Sequence, residues 1–272
     1  MKTKLTIKDI QGISLQTLKQ ITDLCDSLHL RYVLMYGTLL GAVRHQGFIP
    51  WDDDVDIMMP RPDYDTLIQY LSENKLSHLS LFNHDTCPDY PYMISRISDD
   101  RTVLEMDNEK SIGMGVFIDI YPFDGLGNTK DEAAKNGLRG DILSSFCYQA
   151  TRKHFSVENT KSSIKKIAKL PIFLLAKIIG KEFFQKRLKK LEYIRDYDSS
   201  NYVGCVVWLS GGEKDIFNKK WFDETVLMTF EDYEFKVPKD YDSVLQHIYG
   251  QYMQLPPPED RIGHHYYDAY IL

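Results

Sequence analysis

Asp54, Asp56 and Asp119 are the residues of this chain whose type and spacing could do chemistry. In Trp51-Asp-Asp-Asp-Val-Asp-Ile57, Asp54 and Asp56 stand two apart on what reads as a strand, Val55 to Met59. Their side chains then share one face, and Val55 and Ile57 take the other. Neighbouring carboxylates repel unless something positive lies between them. Hard oxygen ligands of this kind suit Mg²⁺ or Mn²⁺. Upstream, Tyr32-Val-Leu-Met-Tyr36 reads as a strand and Gly37-Thr38 as a turn into a short helix with Leu39, Leu40 and Val43 on its apolar side. Backbone N–H groups of that turn could meet a phosphate. A pair of aspartates alone is more often a solvated strand end. The Gly-Thr turn and the apolar alternation through the pair favour a metal and phosphate site.

Asp119 interrupts a stretch, Val116 to Ile120, that is otherwise apolar on both faces. A lone carboxylate there is costly unless it is paired or bound to metal. Asp52 lies one register further along the face of Asp54 and Asp56, either as an additional ligand or as a solvated strand end. Asp124, beside Gly125, reads as a turn residue. Arg96 and Arg101 are candidates for phosphate contact, since arginine suits bidentate phosphate binding.

The elements that must hold these groups read as α+β, a mixed sheet flanked by helices. A helix is expected over 13–29 on the spacing of Leu15, Leu18, Ile21, Cys25 and Leu28. Pro60-Arg-Pro62 ends the aspartate strand and starts a helix near Asp63. Strands follow at 79–82, 92–97 and 101–104, the last two joined by a turn at 98–100. Residues 129–198 read as helical, one helix over 131–150 and one or two over 162–197, broken near Pro171 and Gly180. A strand is expected over 201–209, a hairpin of 225–230 and 233–237 around Glu231-Asp232, and a short helix over 240–249.

The 272 residues, 43% hydrophobic and 26% charged, are those of a globular protein of one large domain or a core with an insertion. A net charge of −6 argues against a nucleic-acid partner. The charge is uneven: residues 161–190 carry ten Lys or Arg and one acid, +9 by count, so the rest balances at −6 − 9 = −15. The Lys-rich segment has Ile164, Ile167, Leu170, Phe173 and Leu174 beside it. It reads either as a solvated helical arm or as a peripheral contact on an anionic membrane. Cys25, Cys87, Cys147 and Cys205 form no CxxC pair, which argues against zinc or a disulfide framework. The N-terminus lacks the apolar core of a signal peptide. The longest apolar run, Ile167 to Ile179, is interrupted by Lys169, Pro171 and Lys177 and is too short to span a bilayer. A cytoplasmic location, at the inner face of the plasma membrane if the basic segment docks there, is the expectation.

The stretch YGTLLGAVRHQGFIPWDDDVDI resembles the nucleotidyltransferase superfamily, whose signature is an apolar residue, Gly and Ser, then Asp-apolar-Asp-apolar on the next strand. It is more closely similar to the LicD family of phosphocholine transferases, and fukutin-related proteins share that core. Thr38 for Ser and a long gap before Asp54 are departures from the general signature that the LicD branch shares. FIDIYPFDG also matches the LicD pattern, which implies Asp119 as the third metal carboxylate. The tail, with Pro256-Pro-Pro258, Arg261, His264 and His265, resembles the LicD C-terminus and is expected to return to the site.

The resemblance implies a nucleotidyltransferase-like core over 1–128, a helical insertion over 129–198, and a C-terminal part over 199–272 that completes the catalytic domain. It implies transfer of phosphocholine from CDP-choline to a hydroxyl of a glycan, a teichoic-acid or lipopolysaccharide precursor that would be lipid-linked if the basic arm meets a membrane. Asp54, Asp56 and Asp119 would hold one or two Mg²⁺ (or Mn²⁺), and Asp119 would orient or deprotonate the sugar hydroxyl. Gly37, Thr38, Arg44, His45 and Arg96 would contact phosphates, and His264 or His265 would contact phosphate or move a proton. Trp51 is either core or a stacking partner for the base. Choline needs aromatic faces, for which Tyr90, Tyr92, Tyr121, Tyr266 and Tyr267 are candidates. The alternatives are transfer of ribitol or glycerol phosphate from its CDP form, and a non-catalytic nucleotide- or glycan-binding module. All three metal carboxylates are present, which disfavours the last.

Overall fold

The computed structural model describes residues 3–156, 163–208, 212–263 and 267–272, with the backbone alone over 163–169. A two-residue strand, β1 (Thr3–Lys4), leads into α1 (Ile7–Ser27). That helix starts one and a half turns earlier than its apolar spacing indicates. Its first turn is secured by a polar device: the Thr6 hydroxyl accepts from the Asp9 amide at 3.3 Å, and the Asp9 carboxylate accepts from the Thr6 amide at 2.8 Å.

The chain then lays down β2 (Val33–Leu34), α2 (Tyr36–His45), β3 (Asp56–Pro60) and α3 (Arg61–Glu73). β4 (Leu79–Phe82), β5 (Ser95–Asp99), β6 (Thr102–Met106) and β7 (Phe117–Gly127) follow. Three helices come next: α4 (Lys130–Thr151), α5 (Ser163–Ile179) and α6 (Lys181–Leu191). The last part holds β8 (Tyr202–Gly204), β9 (Phe217–Asn218), the hairpin β10 (Thr225–Phe230) and β11 (Tyr233–Pro238), α7 (Tyr241–Tyr249) and β12 (Tyr267–Ile271). The fold is α+β.

β7 is the spine of the main sheet, which runs β2-β3-β7-β5-β4. Its first half lies between β3, parallel, and β5, antiparallel, and its second half pairs with β8. All eleven of its residues are buried, because α1, α3 and α4 cover it. Ile57, Ile118 and Ile120 are fully inaccessible, and burying each side chain contributes about 1.5–3 kcal/mol. A second, smaller sheet runs β1-β12-β6 and ties the two ends of the chain together.

Several expectations are corrected here. The strand before the Gly-Thr step is only Val33–Leu34, and Gly37 and Thr38 lie inside the first turn of α2. β5 and β6 do not pair with each other: β5 joins the main sheet and β6 joins β12 in the small one, so the chain changes sheets at Asp99–Arg101. Asp124 is no turn residue. It is fully buried in β7, where Arg61 pairs with it at 2.6 Å and the Val206 amide donates to it at 3.0 Å. Pro171 does not interrupt α5, and the break falls at Gly180, which adopts a φ of 86° that favours glycine. The strand expected over 201–209 reduces to β8 within its described part. β12 was not foreseen at all.

Candidate metal and phosphate site

The register of the main sheet places the candidate groups. Asp56 on β3 stands opposite Asp119 on β7, and Asp119 stands opposite Arg96 on β5. Residues in register on neighbouring strands share a face about 4.8 Å apart. Two carboxylates and one guanidinium therefore form a row across three strands. Arg96 donates to Asp119 through Nε at 2.7 Å and Nη2 at 3.4 Å. Its guanidinium lies between the Tyr92 ring at 4.3 Å and the Phe117 ring at 3.9 Å. Packing and charge together fix its orientation.

Asp54 sits just before β3, and Asp52 and Asp53 precede it. Carboxylate oxygens of these three residues all come within 4.8 Å of one another. Burial pushes Asp54 up to about 8, with Asp53, Asp119 and Asp52 adding to the rise and Arg96 opposing it. Asp56 is held well above the usual carboxylate range, first by burial, then by Asp119, Asp54 and Asp52. The charges are thus crowded beyond what Arg96 can balance. A donor set of several hard oxygens with one cation already committed to Asp119 fits a further divalent cation. A carboxylate has lone pairs enough for Arg96 and a metal together.

The Gly-Thr step supports this row from beside it. The Thr38 hydroxyl, buried, accepts the Asp56 amide at 2.8 Å, and the Met35 amide donates to the Asp56 carbonyl at 3.0 Å. Thr38 thus ties α2 to the start of the aspartate strand. Gly37 leaves room for Asp52: a Cβ there would lie 2.6 Å from Oδ2 of Asp52. The positive end of α2 faces that carboxylate, which is favourable.

Arg44 and His45 are not part of this row. They lie at the other end of α2, about 10 Å further along its axis at 1.5 Å per residue. Arg44 donates to the Tyr252 carbonyl at 2.7 Å, and His45 meets Trp51 edge-on at 6.4 Å. Arg261 covers the other part of that patch, 5.8 Å from the Trp51 ring. Arg101 is engaged by Asp99, which accepts from its Nε at 2.9 Å. Of the aromatic candidates, Tyr90 and Tyr92 pack edge-on beside Arg96, and Tyr121 packs against Tyr36 at 5.5 Å. Tyr267, at the start of β12, donates to Asp53 at 3.0 Å. His264, His265 and Tyr266 lie outside the described residues.

Tyr36 was quoted in the motif but given no role. It adopts a φ of 49°, which is strained for an aromatic residue. Its hydroxyl is buried without a hydrogen-bond partner among the described residues. Burial holds it well above the usual tyrosine range, and the charges of Asp215 and Asp56 contribute. Tyr249 on α7 is influenced by Asp56, Asp52 and Arg44 alike, so it lies between the acidic row and the basic patch. No sequence signal marks Tyr249, because what brings it in is the packing of α7 on α2.

A mixed sheet with acidic residues in register on adjacent strands, beside a glycine-bearing helix start, is the arrangement expected of a nucleotidyltransferase-type site. Residues 29–156 match the family model described as LicD/FKTN/FKRP, nucleotidyltransferase domain. The chain is 31% identical over 288 aligned positions to the lipopolysaccharide cholinephosphotransferase LicD of Haemophilus influenzae, covering 99% of each chain. An uncharacterised protein of Rickettsia prowazekii is 42% identical over 71 residues, 26% of this chain and 27% of that protein. One of Rickettsia typhi is 45% identical over 58 residues, 21% of this chain and 19% of that protein. The chain belongs to the LicD family.

Proposed function

We propose that this protein transfers phosphocholine from CDP-choline to a hydroxyl of a cell-surface glycan or its precursor, of the lipopolysaccharide or teichoic-acid type. The observation that carries the reading is the row of Asp56, Asp119 and Arg96 in a chain similar over its whole length to a lipopolysaccharide cholinephosphotransferase. The glycan oxygen attacks the phosphorus next to choline. An O–P bond forms as the bond from that phosphorus to CMP breaks, and CMP leaves with the electron pair.

Asp54, Asp56 and Asp119 would hold Mg²⁺ or Mn²⁺, which when bound neutralises the diphosphate and stabilises the leaving CMP. Arg96 fixes the rotamer of Asp119 and adds positive charge on the phosphate side of the row. Asp119 would orient the glycan hydroxyl or take its proton. Backbone N–H groups in the first turn of α2, at Gly37 and Thr38, would contact phosphate oxygens of the donor. Arg44, Arg261 and Trp51 form the more distant patch, suited to the nucleotide end of the donor.

The test is a donor comparison. CDP-choline, CDP-ribitol and CDP-glycerol are offered with Mg²⁺ and a choline-free lipopolysaccharide or teichoic-acid precursor, and CMP release is followed. Turnover with CDP-choline alone is the expected result. Turnover with a polyol donor alone would keep the metal chemistry and replace the substrate.

A further inference from the structure

The outer face of α5 over residues 170–179 is apolar and exposed among the described residues. Phe173 and Ala176 are buried against the protein, whereas Leu170, Ile172, Leu174, Leu175, Ile178 and Ile179 are exposed, Ile178 at 83% and Leu174 at 52%. At about 100° per residue these six span roughly 200° of the helix. The one lysine in this part of α5 turns away from the face: Lys177 donates to the Ala150 carbonyl on α4 at 3.0 Å. A helix that is apolar on its packed side and on its open side is a helix with a second apolar environment to meet. No helix among the described residues is long and apolar enough to cross a membrane.

The surroundings specify that environment. Residues 161–190 carry ten Lys or Arg and one acid in a chain of net charge −6. On α6, next in the chain, Lys186, Arg187, Lys189 and Lys190 are exposed. Arg187 lies 3.6 Å over the ring of Phe183, itself 40% exposed, so an apolar body ends in a cationic tip. A second copy of the chain is a poor occupant, because joining two such faces would bring two strongly basic segments together. An exposed apolar strip within the most basic segment of the chain matches the boundary between headgroups and acyl chains of an anionic bilayer.

We infer that α5 lies in the plane of an anionic lipid surface, with Leu174, Leu175 and Ile178 inserted and the basic residues of α6 on the headgroups. This places the protein at a membrane without a spanning segment. It requires neither donor nor acceptor, and so stands apart from the transfer reading.

The experiment is flotation of the full chain with phosphatidylcholine vesicles and with vesicles that also contain phosphatidylglycerol. The protein is expected to float with the second kind and far less with the first. Leu174→Gln with Ile178→Gln is expected to weaken binding at least about tenfold, since each side chain loses a burial contribution. These side chains are exposed, so the melting curve stays unchanged. Leu227→Gln, on the exposed side of β10, serves as the control and leaves binding as it is. Lys186→Gln with Lys190→Gln is expected to reduce binding to the anionic vesicles. Failure to float with anionic vesicles, equal flotation with both kinds, or binding indifferent to Leu174→Gln with Ile178→Gln would overturn the proposal. So would a dimer in solution that this double variant splits, since the face would then belong to a second copy.

Discussion

At the residue scale, one guanidinium carries the balance of a crowded acidic row. Arg96 and Asp119 are 11% and 9% exposed at their side chains, and removing one partner of a buried pair costs about 3–5 kcal/mol. Arg96→Met is therefore expected to lower stability by that order in the absence of divalent ions, measured by urea denaturation. Mg²⁺ is expected to restore more of the loss in this variant than it adds to the unaltered protein, because it supplies the missing charge. Equal effects of Mg²⁺ on both would count against a cation among these carboxylates. Thr38 offers a finer test. Thr38→Val leaves the buried Asp56 amide without its acceptor and should cost about 1–3 kcal/mol, whereas Thr38→Ser should be nearly neutral. At this scale the sequence was readable where chemistry is local. Asp54, Asp56 and Asp119 stood out because carboxylates beside Val55, Ile118 and Ile120 need a reason. Arg96 was legible only as a candidate, since nothing local says that it lies opposite Asp119. Asp124 was misread because its partner, Arg61, lies far away in sequence.

At the element scale, close approaches decide what the periodicity does not. α4 crosses the turn after β8 so tightly that a Cβ on Gly140 would lie 1.9 Å from the Val206 carbonyl oxygen. Gly140→Ala is expected to destabilise by about 1–3 kcal/mol despite the better helix propensity of alanine, by forcing the helix off its seat. A thermal melt decides it, and a rise in melting temperature would contradict the packing described. α3 and α7 were legible because their apolar positions repeat at the right period, and the β10–β11 hairpin because two strand-like runs flank Glu231-Asp232. The start of α1 was missed because its cap is polar, and the change of sheet after Asp99 because a turn signal does not say which strand pairs with which. β12 escaped because its partners, β1 and β6, are remote in sequence. Pro171 was overweighted: a proline lacks one hydrogen bond, and a helix whose neighbours hold it in place continues through it.

At the scale of the whole molecule, a buried ionic group joins the helical segment to the sheet. Glu192, at the end of α6, lies 3.9 Å from Arg61, which also holds Asp124 on β7. Burial raises Glu192 from 4.5 to about 7, with Arg61 opposing. An acid whose folded value lies above its unfolded value binds its proton more tightly when folded. Its contribution to stability is then largest at low pH and falls as pH rises from about 4.5 through about 7. Glu192→Gln should flatten the decline of melting temperature between about pH 5 and pH 7 relative to the unaltered protein. An unchanged slope would mean that the group does not titrate there. Composition indicated the class of this molecule and the unevenness of its charge. It did not indicate that the apolar stripe of α5 faces outward, since an amphipathic pattern in sequence does not say what lies against its apolar side.

The central claim is that carboxylates from β3 and β7 jointly bind the metal that makes phosphocholine transfer possible. Release of CMP from CDP-choline, with a choline-free acceptor and across a Mg²⁺ titration, tests it most directly in Asp56→Asn, Asp119→Asn and the unaltered protein. The account predicts saturable Mg²⁺ dependence in the unaltered protein and a loss of at least about a hundredfold in each variant, the scale of about 2.7 kcal/mol of transition-state stabilisation. Retained turnover in either folded variant, or turnover that persists in excess chelator, would contradict it.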